Sequence, residues 1–498
     1  MVHGPGPQTP CERRLLIGRR GELRAPDAAG PRTSARPGRR HPARRRLRAR
    51  DMAGGRRRER PGRRHHEPQG HHGRRHEPPR DDGGHRRRAR LGIPADCAPR
   101  RRPVDAGLDR PARRRTRAHC HLQSGAVAAA RMTLAGLHAA ETPVGVVHLA
   151  RARRNVERAA AYCRRHGIAW RPHVKTHKSL EMARLQIECG AVGLTVATPH
   201  EAEVMAHATG DLLLAHPPAH PSKIARLCAL PAAADIKVGL DSIEVLRPLC
   251  KAGAATGRTF GILVEFDAGA GRTGVVEVED AIRLAEAADS LPGGRFDGLM
   301  FYPGIRVPRS EQPEALARLA DRLHTFLAAL EQAGHPARIV SGGSTPTMWD
   351  SHLVPGLTEV RPGTCIYNDR DIVGMGAAAS DDIAYSVLAT VISVAVPGQA
   401  VVDAGSKAIS REILGPDASG LGVLLGRPDV TVKAVNEEHG MLDLTRTDWR
   451  PSVGDRVRIL PNHVCVSVNL QDHLWGFERE GGPLRRIALE ARGRSARA

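Results

Sequence analysis

Aromatic side chains are scarce in this 498-residue chain, with four Trp, four Tyr and six Phe. None of them lies in residues 1–131, and no Lys lies there either, although 36 Arg do. No uninterrupted run of 18 apolar residues occurs, so no membrane-spanning helix is expected. No compact apolar segment with a small-residue cleavage site opens the chain, so no secretory signal is expected. The nine Cys are odd in number and scattered, which argues against a disulfide framework. Reduced thiols and a cytoplasmic location are the expectation. No Gly-x-Gly-x-x-Gly follows the first candidate strand, which counts against a dinucleotide-binding domain.

Charge is present in excess but unevenly. The chain carries 76 Lys+Arg against 53 Asp+Glu, a net +23 that taken alone suggests a nucleic-acid partner. Residues 1–131 hold 36 of the basic and 12 of the acidic residues. Residues 132–498 keep 40 basic and 41 acidic residues, a near-neutral balance. The nucleic-acid suggestion therefore rests on the first quarter alone, and no nucleic-acid partner is expected for the rest.

That first quarter alternates Arg runs with Pro, Gly, Ala and His. Without aromatics or aliphatic periodicity it cannot offset the entropy cost of ordering, and disorder is expected. An arm for nucleic acid and an organelle-targeting segment are two readings of it. The favoured reading is translated GC-rich DNA ahead of a true start at Met132.

From residue 141 onward, apolar runs of strand length alternate with helical stretches. Candidate strands are 144–149, 170–174, 192–197, 211–215, 235–240, 260–266, 296–302 and 338–340. Segments such as 151–166 and 311–333 have helical patterns between them. Alternation of this kind implies a parallel sheet. About eight units over residues 132–380 fit an α/β protein with a closed (β/α)8 barrel of TIM type. A doubly wound open sheet is the alternative. After residue 381 the pattern changes to short Val/Ile-rich segments, 387–396, 400–403, 430–435 and 456–460, bounded by turns. An all-β domain over 381–498 is expected, with a frayed basic end over 484–498.

Barrel chemistry sits where strands run into loops at the C-terminal face. Three strand ends are rich in polar groups there. The first is Lys175-Thr176-His177-Lys178. A lysine at a buried strand end is costly unless paired or used covalently, and a low dielectric suits it to Schiff-base chemistry. The other reading is a surface lysine on a βα loop. The second is Asp267-Ala-Gly-Ala-Gly-Arg272-Thr273-Gly274. The third is Ser341-Gly342-Gly343-Ser344-Thr345, whose glycines and hydroxyls suit phosphate or form a flexible polar loop. Farther on, His463 and Cys465 stand two apart. On a strand they share a face. Imidazole and thiolate suit zinc at an open site, or are a buried Cys beside a hydrogen-bonded His.

Together these segments resemble one family. Arg171-Pro172-His173-Val174-Lys175-Thr176-His177-Lys178 looks like the lysine motif of the D-threonine aldolase and D-serine dehydratase family. The resemblance runs in order through Gly193 to Thr198, Glu201 to Glu203, Asp267 to Gly274, Ser341 to Thr347, Glu359 to Asp369, Val402 to Lys407 and the His463/Cys465 pair. It covers roughly residues 140–475. It implies a pyridoxal 5'-phosphate (PLP) enzyme of alanine-racemase fold type, with an N-terminal barrel, a C-terminal β-domain and a homodimeric state.

The resemblance implies roles as well. Lys175 would anchor PLP. Gly342, Gly343, Ser344, Thr345 and Tyr367, with Thr195, would hold its phosphate. Arg272 and Tyr302 would sit beside its ring. His463 and Cys465 would hold a divalent metal, Zn2+ or alternatively Mn2+, near the β-hydroxyl of a D-3-hydroxy amino acid. The implied reaction is D-serine dehydratase-like β-elimination to a 2-oxo acid and ammonia. Retro-aldol cleavage of D-threonine type is the alternative, and amino-acid racemisation a further one. His-x-Cys favours the dehydratase branch over His-x-Asp, the pattern of well-known aldolases. Ile305 departs from the family, where a His often follows the Gly corresponding to Gly304.

Overall fold

The computed structural model describes residues 133–414 and 420–493. The expectations for residues 1–131 lie outside them. Eight parallel strands follow one another around a barrel: Ala169–Trp170, Leu194–Val196, Asp211–Leu214, Asp235–Leu240, Phe260–Glu265, Gly294–Met300, Ile339–Gly342 and Glu359–Val360. The ring closes between its first two strands. His173 and Thr195 form a parallel bridge, and the Thr195 N–H donates to the Pro172 carbonyl at 2.9 Å.

Membership of the barrel differs from the sequence reading. Val144–His148 is a strand, but it lies in the second sheet, between Tyr385–Ser393 and His473–Phe477. Its burial explains the change. Val146 and Val147 are both fully buried on opposite faces of the sheet, each in a different apolar cluster. Glu359–Val360, too short to stand out in the sequence, takes the eighth place in the barrel. The barrel strand before Lys175 is also shorter than expected, because Val174–Thr176 turns into a 3-10 helix.

Leu149–His166 shows why such segments become helices. Val156, Ala159, Ala160 and Cys163 recur at helical spacing and are buried. The His148 side chain accepts the Arg151 N–H at the start, and Gly167 ends the helix at φ 67°, a left-handed conformation glycine adopts without strain. Inside the barrel, Leu213, Leu263 and Met300 form a small apolar layer. Gly239 makes room for it, since a Cβ there would meet the Met300 sulfur at 2.0 Å. Around this layer the lumen is charged. Arg171, which is 3% exposed, pairs with Glu359 at 2.9 Å and Asp211 at 2.6 Å.

The second sheet has ten strands and is antiparallel except where Val144–His148 meets His473–Phe477. Tyr385–Ser393 pairs with Arg456–Pro461 as well as with Val144–His148. Leu484–Ala488 is not frayed. It is a strand paired with His473–Phe477, with Leu484 and Ile487 fully buried. Among the described residues no helix is long and apolar enough to cross a membrane.

Candidate active site

The lysine turn is built by its neighbours. Val174 and Thr176 are fully buried, which leaves Lys175 as the exposed residue of the turn. The His173 side chain caps it, accepting the Lys175 N–H at 3.4 Å. Burial holds the His173 pKa well below its ordinary range, and the cations Lys175, Arg361 and Lys178 add to that effect. His173 is therefore a neutral acceptor beside the lysine. Lys178, two residues past the turn, is paired with Glu201 at 2.6 Å.

Beneath the turn, Thr195 is fully buried and its hydroxyl donates to the Arg171 carbonyl at 2.9 Å. Arg361 donates to the Ser341 hydroxyl at 2.6 Å and the Phe301 carbonyl at 2.7 Å. Burial pushes its pKa down to about 10. Arg272 lies over the Tyr302 ring, 4.5 Å from its centroid. Its guanidinium is 3.8 Å from Glu265, a buried carboxylate that also accepts from the Thr273 hydroxyl at 2.9 Å. Burial raises the Glu265 pKa, with Thr273 and Arg272 working against it.

Gly342 ends its strand against the Phe301 ring, where a Cβ would fall 2.2 Å from a ring carbon. Gly343 has φ 75°. The chain then turns through Ser344 and Thr345, whose backbone N–H groups carry no hydrogen bond among the described residues. The Ser344 hydroxyl is 3.2 Å from that of Thr347, and the Thr345 hydroxyl accepts the Cys365 N–H at 3.2 Å. Tyr367 is elsewhere in its surroundings. It is fully buried in the apolar core shared with the second sheet, stacked on Tyr385 at 6.3 Å, and its hydroxyl has no hydrogen-bond partner among the described residues. Burial raises its pKa far above the usual tyrosine range, and the Glu181 carboxylate adds to that.

His463 and Cys465 stand at the start of the helix Val464–Leu470, not on a strand. Asp369 explains the turn. It is 1% exposed, and its carboxylate accepts the N–H groups of Val464 and Ile372, both at 2.9 Å. It so anchors two helix starts at once, and burial pushes its pKa up to about 6. Cys465 Sγ lies 3.1 Å from the Thr176 hydroxyl and 3.6 Å from that of Thr364. Burial disfavours both charged forms of the His463–Cys465 pair, but each stabilises the other. The His463 pKa rises to about 9, helped by Asp369 and Glu412, and the Cys465 pKa falls, helped by Thr176 and Lys175. The pair stands beside the lysine turn, and each side chain shifts the other toward its charged form. Among the described residues no group of three or more His, Cys, Asp or Glu is placed to hold a metal.

Family models match in the order these elements follow. The alanine racemase N-terminal domain matches residues 147–371, and a putative serine dehydratase domain matches residues 384–476. D-threo-3-hydroxyaspartate dehydratase of Delftia sp. HT23 is 36% identical over 351 residues, 66% of this chain and 91% of that enzyme. The chain belongs to the D-threonine aldolase and D-serine dehydratase family. It is a PLP-dependent lyase of alanine-racemase fold, as the motif resemblance implied. The crystal structure of D-threonine aldolase from Filomicrobium marinum superposes with TM-score 0.66 at 31% identity, covering 73% of this chain and 98% of that one. A cysteine-to-alanine mutant of D-threo-3-hydroxyaspartate dehydratase in its metal-free form gives TM-score 0.65 at 31% identity, covering 72% of this chain and all of that one.

The residues of this family member fit its cofactor. The lysine is exposed just past a strand end, and after Gly342–Gly343 the N–H groups of Ser344 and Thr345 carry no hydrogen bond among the described residues, as an anion-binding turn requires. The donor pair His463 and Cys465 fits a soft divalent cation. Several residues of the site escaped the sequence reading. Thr176 lay within the lysine motif, but its contact with the Cys465 sulfur spans 289 residues of chain. Arg361 and Thr364 lay within the Glu359 to Asp369 segment but were given no role there, and Glu265 and Glu412 lay in no motif. A cavity of about 810 Å3 lies outside the site, lined by Asp241, Ser242, Arg247 and Arg283 among others, and contains none of the predicted site residues.

Proposed function

We propose that this chain is a PLP- and metal-dependent lyase of D-3-hydroxy amino acids that performs β-elimination to a 2-oxo acid and ammonia. The observation that carries the reading is the 3.1 Å contact of Thr176 with Cys465, which joins the lysine turn to the His463–Cys465 pair. PLP, when bound, supplies an electron sink for the pair of electrons left at Cα.

The chain's own residues supply the rest. Lys175 anchors the cofactor at rest, and its Nζ takes the proton from the substrate Cα. Ser344 and Thr345 bind phosphate through their free N–H groups, on a turn that Gly342 and Gly343 make narrow enough. Thr195 braces the strand beneath the lysine through the Arg171 carbonyl. Arg272 and Tyr302 flank the ring, with Glu265 behind Arg272. His463 and Cys465 hold the divalent metal, zinc in preference to manganese for a thiolate donor. A divalent ion held by His463 and Cys465 would supply Lewis-acid chemistry to the departing β-hydroxyl. Tyr367 is the least supported of the phosphate contacts, because its ring is set in the second-sheet core.

Ile305 favours elimination over cleavage. It packs against the barrel core and offers no base for a β-hydroxyl proton. Retro-aldol cleavage remains the second reading, favoured by the likeness to the Filomicrobium aldolase. The Delftia relative adds D-threo-3-hydroxyaspartate to the substrates worth offering. The decisive experiment feeds D-serine, D-threonine and D-threo-3-hydroxyaspartate separately to the PLP- and zinc-loaded enzyme and identifies products. A 2-oxo acid with ammonia supports elimination. Glycine with an aldehyde overturns it in favour of the aldolase. A homodimer is part of the same proposal, and sedimentation of the loaded enzyme tests it.

A further inference from the structure

The two ring nitrogens of His463 have different surroundings. Nδ1 is in contact with Oε2 of Glu412, while Cys465 lies close enough to the ring to act on its charge. Glu412 lies 51 residues earlier in the chain, just past the short helix Ser406–Ile409. Its backbone is tied to the same place. The Glu412 carbonyl accepts from Nδ2 of Asn462 at 2.9 Å, and Asn462, 1% exposed, immediately precedes His463. A second bond from Asn462 reaches the Gly420 carbonyl at 3.0 Å. Side chain and backbone thus both hold Glu412 against His463.

We infer that Glu412 is the outer-sphere carboxylate of the metal site. It accepts the Nδ1–H of His463, fixes the tautomer with its lone pair on Nε2, and turns the ring so that Nε2 and Cys465 Sγ bind one ion. The inference rests on the metal reading proposed above. A metal-bound histidine generally donates its other ring N–H to a carboxylate or carbonyl, which fixes ring orientation and raises ligand basicity. Asp369 also acts on His463 by charge, but its carboxylate oxygens accept the N–H groups of Ile372 and Val464. It does not orient the ring. Glu412 sits on the nitrogen that the metal does not use, so it is a positioning residue and not a ligand.

The test is zinc affinity of the full-length, PLP-loaded protein, measured by competition with a chromophoric chelator at fixed pH. Glu412→Ala is expected to bind zinc 10–100-fold more weakly than wild type. Its PLP absorbance and its thermal unfolding without metal should match wild type, since Glu412 touches neither the cofactor residues nor the core. Glu412→Gln keeps the shape and loses the charge, and is expected to fall between the two. It also carries the test alone if the alanine variant fails to fold. Wild-type zinc affinity in both variants overturns the inference. His463→Ala is the control. If it too binds zinc like wild type, the metal reading has failed, independently of Glu412.

Discussion

The hydroxyl of Thr176 lies 3.1 Å from the sulfur of Cys465, across 289 residues of chain. The first residue belongs to a turn at the end of a barrel strand and the second to a helix start in the β-domain. One contact therefore couples the candidate cofactor lysine to the candidate metal donors. Chelation, or His463→Ala, should abolish turnover while PLP absorbance persists. Thr176→Val should leave PLP bound and raise the Cys465 thiol pKa, because it removes a hydrogen bond to the thiolate. Thiol titration by ultraviolet absorbance of the metal-free protein reads that shift. Full activity in metal-free enzyme would refute the metal role.

Lys175→Ala should remove the visible absorbance of the lysine-bound cofactor and reduce turnover to background. An unchanged spectrum would mean that another lysine holds PLP. Lys178 is the nearest competitor in sequence, but its amino group is committed to Glu201 at 2.6 Å.

Gly342→Ala should damage both stability and cofactor binding. The added methyl would meet the Phe301 ring at 2.2 Å. Overpacking of this kind costs roughly 1–3 kcal/mol. Denaturant midpoints would measure the loss, and PLP titration would register weaker binding. A variant with wild-type values of both would show that the loop has slack.

Glu201→Gln should be costly, because it leaves the Lys178 cation buried without its counter-charge. Glu201 is fully buried, and it also accepts the Ala197 N–H at 2.7 Å. Breaking a buried pair from one side costs about 3–5 kcal/mol. Urea unfolding that differs from wild type by less than a kcal/mol would contradict that reading.

His177 sets a pH dependence of stability. Burial lowers its folded pKa to about 4, against the ordinary 6.5. Between these values the unfolded chain takes up a proton that the folded one refuses. Its contribution is complete above pH 6.5 and is lost as pH falls toward 4, by about 3 kcal/mol in all. At pH 5 roughly 2 kcal/mol of that should be gone. Equilibrium unfolding at pH 7.5 and 5.0 should show a shallower fall for His177→Gln than for wild type. Equal falls in the two proteins would exclude His177 as the cause.

Much of the fold was legible because its pattern is local. The helix Leu149–His166 follows from apolar spacing and a terminal glycine, and strands such as Phe260–Glu265 from unbroken apolar runs. The strand Val144–His148 was legible as a strand but not as a member of a particular sheet, since apolar residues on both faces suit either one. Leu484–Ala488 was hidden by its arginines, because Leu484 and Ile487, three apart and in different apolar clusters, are its only fully buried side chains and give no period-2 pattern.

The candidate site divides the same way. Residues held in one short segment were readable there: Lys175 in its motif, Gly342 to Thr345 at their strand end, and His463 with Cys465 two apart. Sequence by itself determined which chemical groups were available and the fold type that would carry them. Only the tertiary structure decided which groups meet. It put Thr176 on Cys465, Glu265 behind Arg272, Glu412 on His463, and Tyr367 into a core away from solvent. The physical reason is that hydrogen bonds and ion pairs act over a few ångströms of space, whereas these partners are separated by up to 289 residues of chain.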